Sequence, residues 1–245
     1  MKESNFGYID SIEPAGFVDG PGIRMVVFFT GCNLRCIFCH NPETWIMAKG
    51  NKITKEEIIS KLKRNLTYYQ DGGITLSGGE PLLQDKFIIE LLKEVKKLGI
   101  HTALDTAGSG IGNYEEILKY VDLVILDIKA YTDIDYLKIT GKPIDEFNRF
   151  MKVCQELKKP LWIRQVIIPG INDNKEYIYG LKEYLSKYKY IERIELLPYH
   201  DLGVAKYKKL GISYPLEGVK PLSINTLNYL KSIIKEKSWL YKLIP

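Results

Sequence analysis

The chain has 245 residues, of which 45% are hydrophobic and 27% are charged. This composition is typical of a globular protein with a sizeable apolar core, and it excludes collagen-like, disordered and disulfide-scaffold proteins. The 35 Lys and Arg residues against 30 Asp and Glu leave a net charge of +5. The basic residues are scattered, which gives no support for nucleic-acid binding. They indicate a solvated face or a surface that attracts an acidic protein or substrate.

Hydropathy gives no sign of a membrane or secreted protein. No segment approaches the roughly 18 apolar residues needed to cross a bilayer, and residues 1–6 lack the apolar region of a secretory signal. We therefore expect a cytoplasmic protein that does not bind membranes, whose cysteines remain reduced.

Short apolar runs alternate with amphipathic segments along the chain. Strands are predicted at 25–29, 73–77, 101–105, 122–127, 161–168 and 191–197. The Thr54-x-x-Glu57 capping box begins one helix, and further helices are predicted at 87–98, from 113, and at 147–157, 177–188 and 227–234. Six strands separated by helices predict an α/β fold, a partial (β/α)6 TIM-like barrel of parallel strands in a single domain over residues 1–245. Polar and glycine residues follow the strands, so an active site is expected at their carboxyl ends.

Three of the four cysteines, Cys32, Cys36 and Cys39, fall within eight residues directly after the first predicted strand. A structural zinc site normally takes four ligands in two close pairs, and His40 is poorly placed to be the fourth. Three thiolates instead suit a [4Fe–4S] cluster in which one iron has no protein ligand. Zinc, or three unrelated buried cysteines, are the alternatives. Cys154 lies on a predicted helix, where a buried free cysteine is expected.

The Cys-x3-Cys-x2-Cys spacing resembles that of the radical S-adenosylmethionine (SAM) enzymes. Further segments occur in the same order as in the glycyl-radical enzyme activases that serve pyruvate formate-lyase. They lie at 19–24, 39–45, 77–81, 105–108, 127–129, 162–164 and 195–200. The resemblance implies a radical SAM core across nearly the whole chain. It also suggests that the Asp19-Gly-Pro-Gly-Ile-Arg24 loop lies near the cluster and faces the incoming peptide.

The resemblance also implies a reaction. The reduced cluster would give an electron to SAM, which splits into methionine and a 5′-deoxyadenosyl radical, and this radical would take a hydrogen atom from one glycine of the partner. The implied protein substrate is pyruvate formate-lyase, and the implied electron donor is a flavodoxin or ferredoxin. A monomer is expected.

Site residues follow by the same resemblance. The open iron would hold the methionyl amine and carboxylate of SAM, and Gly79 would meet the amine, although an ordinary tight turn is the alternative. Phe38, Cys39 and His40 would lie along the adenine, although a loop histidine satisfied by the backbone is the alternative for His40. His200 would touch the nucleoside.

A second group would surround the SAM carboxylate. Lys129 would pair with it, beside Asp127 and Ile128, while Asp105, Thr106 and Asp127 would hold a monovalent cation. Exposed strand-end charges are the alternative. Arg164 sits in an apolar strand and needs an anionic or polar partner, which SAM, Asp127 or a structural salt bridge could supply.

Two other functions stay open at this point. One is an activase for a different glycyl-radical enzyme, but such relatives often carry extra cysteines between the cluster loop and the first helix, and residues 45–53 have none. The other is a non-catalytic metal-binding module that presents its basic surface to a partner.

Overall fold

The computed structural model describes residues 6–235. The chain divides into two compact units, each assembled from separate segments. The first unit contains the residues up to Asn33, Glu43–Leu126 and Asp145–Pro160. The second contains Leu34–Pro42, Asp127–Ile144 and the residues from Leu161 onward. The division between Asn33 and Leu34 falls inside the cysteine motif.

The described strands are β1 (Gly7–Gly16), β2 (Arg24–Phe29), β3 (Asn51–Ile53), β4 (Gly73–Gly78), β5 (Thr102–Thr106), β6 (Leu123–Asp127), β7 (Leu161–Ile167) and β8 (Ile191–Pro198). In the first unit the strand order is β3-β1-β2-β4-β5-β6. Strands β2, β4, β5 and β6 run parallel, and β1 pairs antiparallel with both β2 and β3. In the second unit β7 and β8 are parallel.

The described helices are α1 (Lys55–Arg64), α2 (Asp85–Lys97), α3 (Tyr114–Leu118), α4 (Asp133–Thr140), α5 (Asp145–Glu156), α6 (Lys175–Leu185), α7 (Val204–Leu210) and α8 (Ile224–Lys235). The predicted capping box is present: the Thr54 hydroxyl accepts from the Glu57 N–H, and the Glu57 carboxylate accepts from the Thr54 N–H at 2.8 Å. Short 3-10 helices occur at Pro42–Trp45, Met47–Lys49, Leu66–Tyr69 and Pro81–Gln84.

Apolar side chains on both faces of the parallel strands form the core of the first unit. Val27, Leu76, Leu104 and Val124 are completely buried, as expected for strands covered on both faces. The register pairs Phe29 with Gly78 and Thr106 with Leu126, so neighbouring strands end side by side. The polar segments that follow these strands are therefore held at one edge of the sheet.

All six predicted strands and all six predicted helices are present, within a few residues at each end. The predicted α/β class is therefore confirmed. The prediction missed the antiparallel strands β1 and β3 and the helices α4 and α7. No helix within residues 6–235 is both long and apolar enough to span a membrane.

The 19–24 loop lies at the other end of β2 from the cysteine motif. Arg24 is the first residue of β2 and its Nε donates to Thr75 Oγ1 at 2.6 Å, while the Thr75 hydroxyl donates to the Asp19 carbonyl at 2.6 Å. Gly22 packs so closely on Asp71 that a Cβ there would lie 2.2 Å from the Asp71 carbonyl oxygen. A six-residue strand separates the two ends by roughly 17 Å, so the expectation that this loop lies near the cluster is wrong.

Candidate active site

In the first unit, the segment that carries Cys32 packs directly against the glycine-rich turn after β4. The Gly31 N–H donates to the Thr44 carbonyl at 2.7 Å, and the Glu80 N–H donates to the Gly31 carbonyl at 2.8 Å. A Cβ on Gly79 would lie 2.4 Å from the Gly31 carbonyl oxygen. Only glycine permits this approach, so Gly79 and the first cysteine segment lie in direct contact.

The Glu80 side chain is buried at this edge of the sheet and accepts several hydrogen bonds. Its carboxylate accepts from the Thr106 hydroxyl at 2.6 Å, from the Ala107 N–H at 3.0 Å and from the Leu82 N–H at 3.2 Å. The Ser109 N–H also donates to it. Burial raises the pKa of Glu80, and these hydrogen bonds act in the opposite direction. Glu80 therefore ties the turn after β4 to the loop after β5.

Asp105 and Thr106 have different environments at the end of β5. The Ser77 hydroxyl donates to Asp105 Oδ2 at 2.8 Å, and the Asp105 side chain is only partly covered. The Thr106 hydroxyl is already bound to Glu80. The same hydroxyl oxygen accepts from the Gly108 N–H at 2.9 Å, so the backbone carbonyl of Thr106 is the candidate cation ligand.

In the second unit, Lys129 and Asp127 form a close ion pair at the end of β6. The Lys129 Nζ lies 2.8 Å from Asp127 Oδ2 and 5.4 Å from the centre of the Phe38 ring. Burial would lower the pKa of Lys129, but the Asp127 carboxylate and the Cys36 thiol outweigh burial and raise it. Burial also raises the pKa of the Cys36 thiol to about 11, against the opposing effect of Lys129. A fixed ammonium thus faces the cysteine loop.

Two backbone hydrogen bonds hold the cysteine loop against the last turn of α4. The Arg35 N–H donates to the Thr140 carbonyl at 2.8 Å, and the Ile37 N–H donates to the Ile139 carbonyl at 2.9 Å. These carbonyls have no partner within a helix, because they belong to its last turn. The backbone on both sides of Cys36 is therefore supported by α4.

His40 and His200 are stacked, with ring centres 3.7 Å apart and planes inclined by 16°. The His40 Nε2 lies 2.9 Å from the His200 carbonyl oxygen, and His200 Nδ1 is buried without a hydrogen-bond partner in the described residues. A Cβ on Gly203 would lie 3.2 Å from the Cys39 carbonyl oxygen. The two histidines predicted to lie on the nucleoside therefore meet beside Cys39.

Arg164 has a structural partner. Its Nε donates to Glu195 Oε2 at 2.9 Å, and Glu195 Oε1 also lies 2.6 Å from an Arg193 terminal nitrogen. A structural salt bridge, one of the partners considered from the sequence, is therefore present. The Arg164 carbonyl accepts from the Ile128 N–H at 2.8 Å, so Arg164 also helps to position the segment between Asp127 and Lys129.

None of the four cysteines forms a disulfide within residues 6–235, and Cys154 is buried in α5 as predicted. Burial raises the pKa of its thiol. Within residues 6–235, no three His, Cys, Asp or Glu side chains are grouped as ligands of one metal ion. Thiolates of a [4Fe–4S] cluster bind different irons and therefore lie farther apart than the ligands of one ion.

Sequence reasoning missed Glu80 and Gly203. Glu80 stood inside the Ser77–Pro81 motif, yet only Gly79 was given a role there. The sequence could have indicated that a buried acid after two glycines accepts hydrogen bonds from neighbouring backbone N–H groups. Gly203 had no recognisable signal, because its contact with Cys39 joins residues far apart in the chain.

The chain matches a known protein family and is similar to named relatives over most of its length. Residues 26–181 match the family model of the radical SAM superfamily. A pyruvate formate-lyase-activating enzyme from Clostridium pasteurianum is 50% identical over 232 residues, which cover 94% of this chain and 98% of the relative. The enzyme of the same name from Staphylococcus epidermidis is 42% identical over 88% of this chain and 90% of its own length.

Solved structures show the same fold. A domain of a pyruvate-formate lyase-activating enzyme from Bacteroides vulgatus has 25% identity and a TM-score of 0.54, covering 66% of this chain and 92% of that chain. Streptococcus suis SuiB bound to S-adenosylmethionine has 19% identity and a TM-score of 0.64, covering 85% of this chain and 48% of that chain. These likenesses confirm the fold class predicted from the sequence.

Proposed function

Because the chain belongs to the radical SAM superfamily and, within it, to the family of pyruvate formate-lyase-activating enzymes, we propose that it forms a glycyl radical on pyruvate formate-lyase. The single observation that carries this proposal is the 50% identity to the Clostridium pasteurianum enzyme, which extends over 94% of the chain. The likeness therefore includes both units and every segment of the candidate active site. Bound cluster and SAM supply the chemistry: one electron cleaves SAM, and the resulting radical removes hydrogen from the partner's glycine.

The residues present fit a [4Fe–4S] cluster. Cys32, Cys36 and Cys39 are partly exposed thiols outside any disulfide, and three thiolates leave one iron for SAM. Cys154 is buried in a helix and takes no part. The support of the Cys36 backbone by α4, and of the Cys32 segment by Gly79 and Glu80, would hold the loop in place while the cluster binds.

The residues proposed to hold SAM divide by chemistry. Lys129 would bind the methionyl carboxylate as a compact cation, with Asp127 and Ile128 beside it. The Gly79 carbonyl would accept a hydrogen bond from the methionyl amine. The adenine and ribose would lie on Phe38, Cys39, His40 and His200, where the unpartnered Nδ1 of His200 offers a polar contact. Arg164 would act by positioning Ile128, whose N–H donates to the Arg164 carbonyl.

We also propose that a monovalent cation binds near the SAM carboxylate. Its oxygen ligands would be the carboxylates of Asp105 and Asp127 and the backbone carbonyl of Thr106. Carboxylate and carbonyl oxygens are the donors that hard cations prefer.

The electron donor is proposed to be a flavodoxin or ferredoxin, and the protein is proposed to act as a single-domain monomer. A cytoplasmic location is proposed because the three cysteines must stay reduced to bind the cluster, and the cytosol keeps thiols reduced.

The proposal is tested by anaerobic incubation of the reconstituted protein with SAM, dithionite and pyruvate formate-lyase, followed by electron paramagnetic resonance spectroscopy. We expect a glycyl radical on pyruvate formate-lyase, and none on a glycerol dehydratase treated in the same way. The reverse preference would show an activase for another glycyl-radical enzyme. SAM cleavage without any glycyl radical would exclude the activase function.

A further inference from the structure

The outer face of α4 combines exposed apolar side chains with basic ones. Ile134 is 67% exposed and Leu137 is 53% exposed, and they lie three residues apart, on one side of the helix. Lys138 and Lys142 are exposed close by. The Arg35 side chain is exposed near Gly141, with its Cβ 3.9 Å from the position of a Gly141 Cβ. We call these five residues, Arg35, Ile134, Leu137, Lys138 and Lys142, the α4 surface.

The charges of this helix are segregated along its axis. Asp133 and Asp135 lie in the first turn, and the Thr132 hydroxyl bonds to Asp135 at 2.8 Å. Lys138 lies in the last turn and Lys142 follows it. Neither lysine ammonium makes an ion pair within residues 6–235. The basic charge is therefore concentrated at the end of α4 that binds the cysteine loop.

The same end of α4 supports the backbone on both sides of Cys36, through the Thr140 and Ile139 carbonyls. A protein that docks on the α4 surface would thus sit on the element that supports Cys36, one of the three proposed cluster ligands. Electron transfer needs a partner close to the acceptor, whereas hydrogen abstraction needs the partner's glycine at the SAM side. Apolar side chains with basic residues at the end nearest the cysteine loop suit a brief encounter with an acidic protein.

We propose that the α4 surface is the docking site of an acidic one-electron carrier protein of the flavodoxin or ferredoxin type. This inference rests on the proposed function, because it assumes a cluster that must be reduced. Lys138, Lys142 and Arg35 would attract the acidic surface of the carrier, and Ile134 and Leu137 would be covered in the complex. No bond is made or broken at this surface, and one electron passes from the carrier to the cluster.

The test compares two double variants with matched losses of charge and apolar surface. The test variant is Leu137→Ser with Lys138→Glu. The control is Lys220→Glu with Ile224→Ser, which changes an equally exposed apolar residue (Ile224, 65% exposed) and an exposed lysine elsewhere in the same unit. Both variants are reconstituted, and their iron content is measured first, so that a misfolded variant is recognised and replaced by the single variant Lys142→Glu.

Binding of oxidised flavodoxin is measured by calorimetry, and SAM cleavage is driven in parallel by reduced flavodoxin and by dithionite. We expect the test variant to bind flavodoxin at least about tenfold more weakly than the wild type. Flavodoxin-driven cleavage should fall similarly, while dithionite-driven cleavage should be unchanged. The loss should shrink in about 1 M salt, where the screening length is roughly 3 Å. The control should behave as wild type.

Three results would overturn the inference: wild-type flavodoxin binding by the test variant, an equal loss in the control, or loss of dithionite-driven glycyl radical formation in the test variant alone. The last result would show that pyruvate formate-lyase occupies the α4 surface. If dithionite-driven cleavage fails even in the wild type, the proposed function fails, and the flavodoxin binding constants still decide the docking site.

Discussion

The Thr106 hydroxyl donates to the buried Glu80 carboxylate at 2.6 Å, and this contact joins the ends of two neighbouring strands. Glu80 follows Gly79, which packs on the Cys32 segment, and Thr106 follows Asp105. A hydrogen bond between buried groups thus fixes the spacing of three segments of the candidate active site. Glu80 is a positioning residue, since its oxygen atoms are occupied by protein donors.

Replacement of Glu80 by glutamine should destabilise the protein and weaken SAM binding. The amide nitrogen would face N–H donors, and hydrogen bonds to a charged group are each worth about 1.5–3 kcal/mol. Thermal unfolding should show a loss of about 2–3 kcal/mol. The exposed replacement Glu217→Gln is the control and should change stability by less than about 0.5 kcal/mol. Equal stability of the two variants would show that Glu80 is not an anchor.

Alanine substitution of the three cysteines of the motif should affect bound iron and SAM cleavage far more than substitution of the fourth cysteine. Alanine at Cys32, Cys36 or Cys39 should abolish SAM cleavage and reduce bound iron, because each thiolate is a proposed cluster ligand. The wild-type protein should hold about four irons per chain after reconstitution. Cys154→Ala should keep its iron, since that thiol is buried in α5. Iron loss in Cys154→Ala, or about eight irons per wild-type chain, would contradict the assignment.

Replacement of Lys129 by methionine keeps the apolar stem and removes the ammonium. We expect SAM affinity to fall about ten- to a hundredfold, which corresponds to a loss of roughly 1.5–3 kcal/mol. Iron content should stay near normal, because Lys129 is not a proposed ligand. Equilibrium binding of SAM to the reconstituted variant measures the change, with Lys152→Met as the exposed control. Unchanged affinity would leave Lys129 only its ion pair with Asp127.

The Asp122 carboxylate should make stability depend on pH. Burial tends to raise its pKa, but hydrogen bonds from Lys96 and Thr102 outweigh burial and hold the pKa of Asp122 below its ordinary value. A lowered pKa stabilises the fold above the unfolded-state pKa, and this contribution disappears as the pH falls through the folded-state pKa. The side chain is 35% exposed, so Asp122→Asn should lose only about 1 kcal/mol near neutral pH.

Chemical denaturation of the wild type and Asp122→Asn from neutral to acid pH checks this. The difference in the free energy of unfolding should begin to close as the pH falls below about 3.9, the pKa of the unfolded state. It should close fully only below the lower folded-state pKa, where the acid is protonated in both states. A difference that stays constant over this range would mean that the charge of Asp122 contributes nothing.

Sequence patterns predicted the parallel strands and their polar ends well, since continuous apolar runs are distinctive. Helix α4 was missed because its apolar residues lie on both faces: Tyr136 and Ile139 are buried while Ile134 and Leu137 are exposed. No amphipathic period is left to recognise. Strand β1 was missed for a similar reason, since most of its residues are exposed or half-buried.

Pairings between distant residues were beyond sequence reasoning. Arg164 required an anionic partner, yet its choice of Glu195 depends on the register of β7 with β8, which pairs those two positions. The place of the 19–24 loop likewise depends on which end of β2 it precedes. The need of a residue for a partner could be predicted from the local sequence. The identity of that partner could not, because it is set by the register of the sheet.

The most direct test of the activase function follows hydrogen from the partner to SAM. Pyruvate formate-lyase labelled with α-deuterated glycine is incubated anaerobically with SAM, dithionite and the reconstituted protein, and 5′-deoxyadenosine is analysed by mass spectrometry. We predict that 5′-deoxyadenosine gains deuterium in proportion to the glycyl radical formed on the partner. Unlabelled 5′-deoxyadenosine, produced while the partner acquires its radical, would contradict direct abstraction from the glycine.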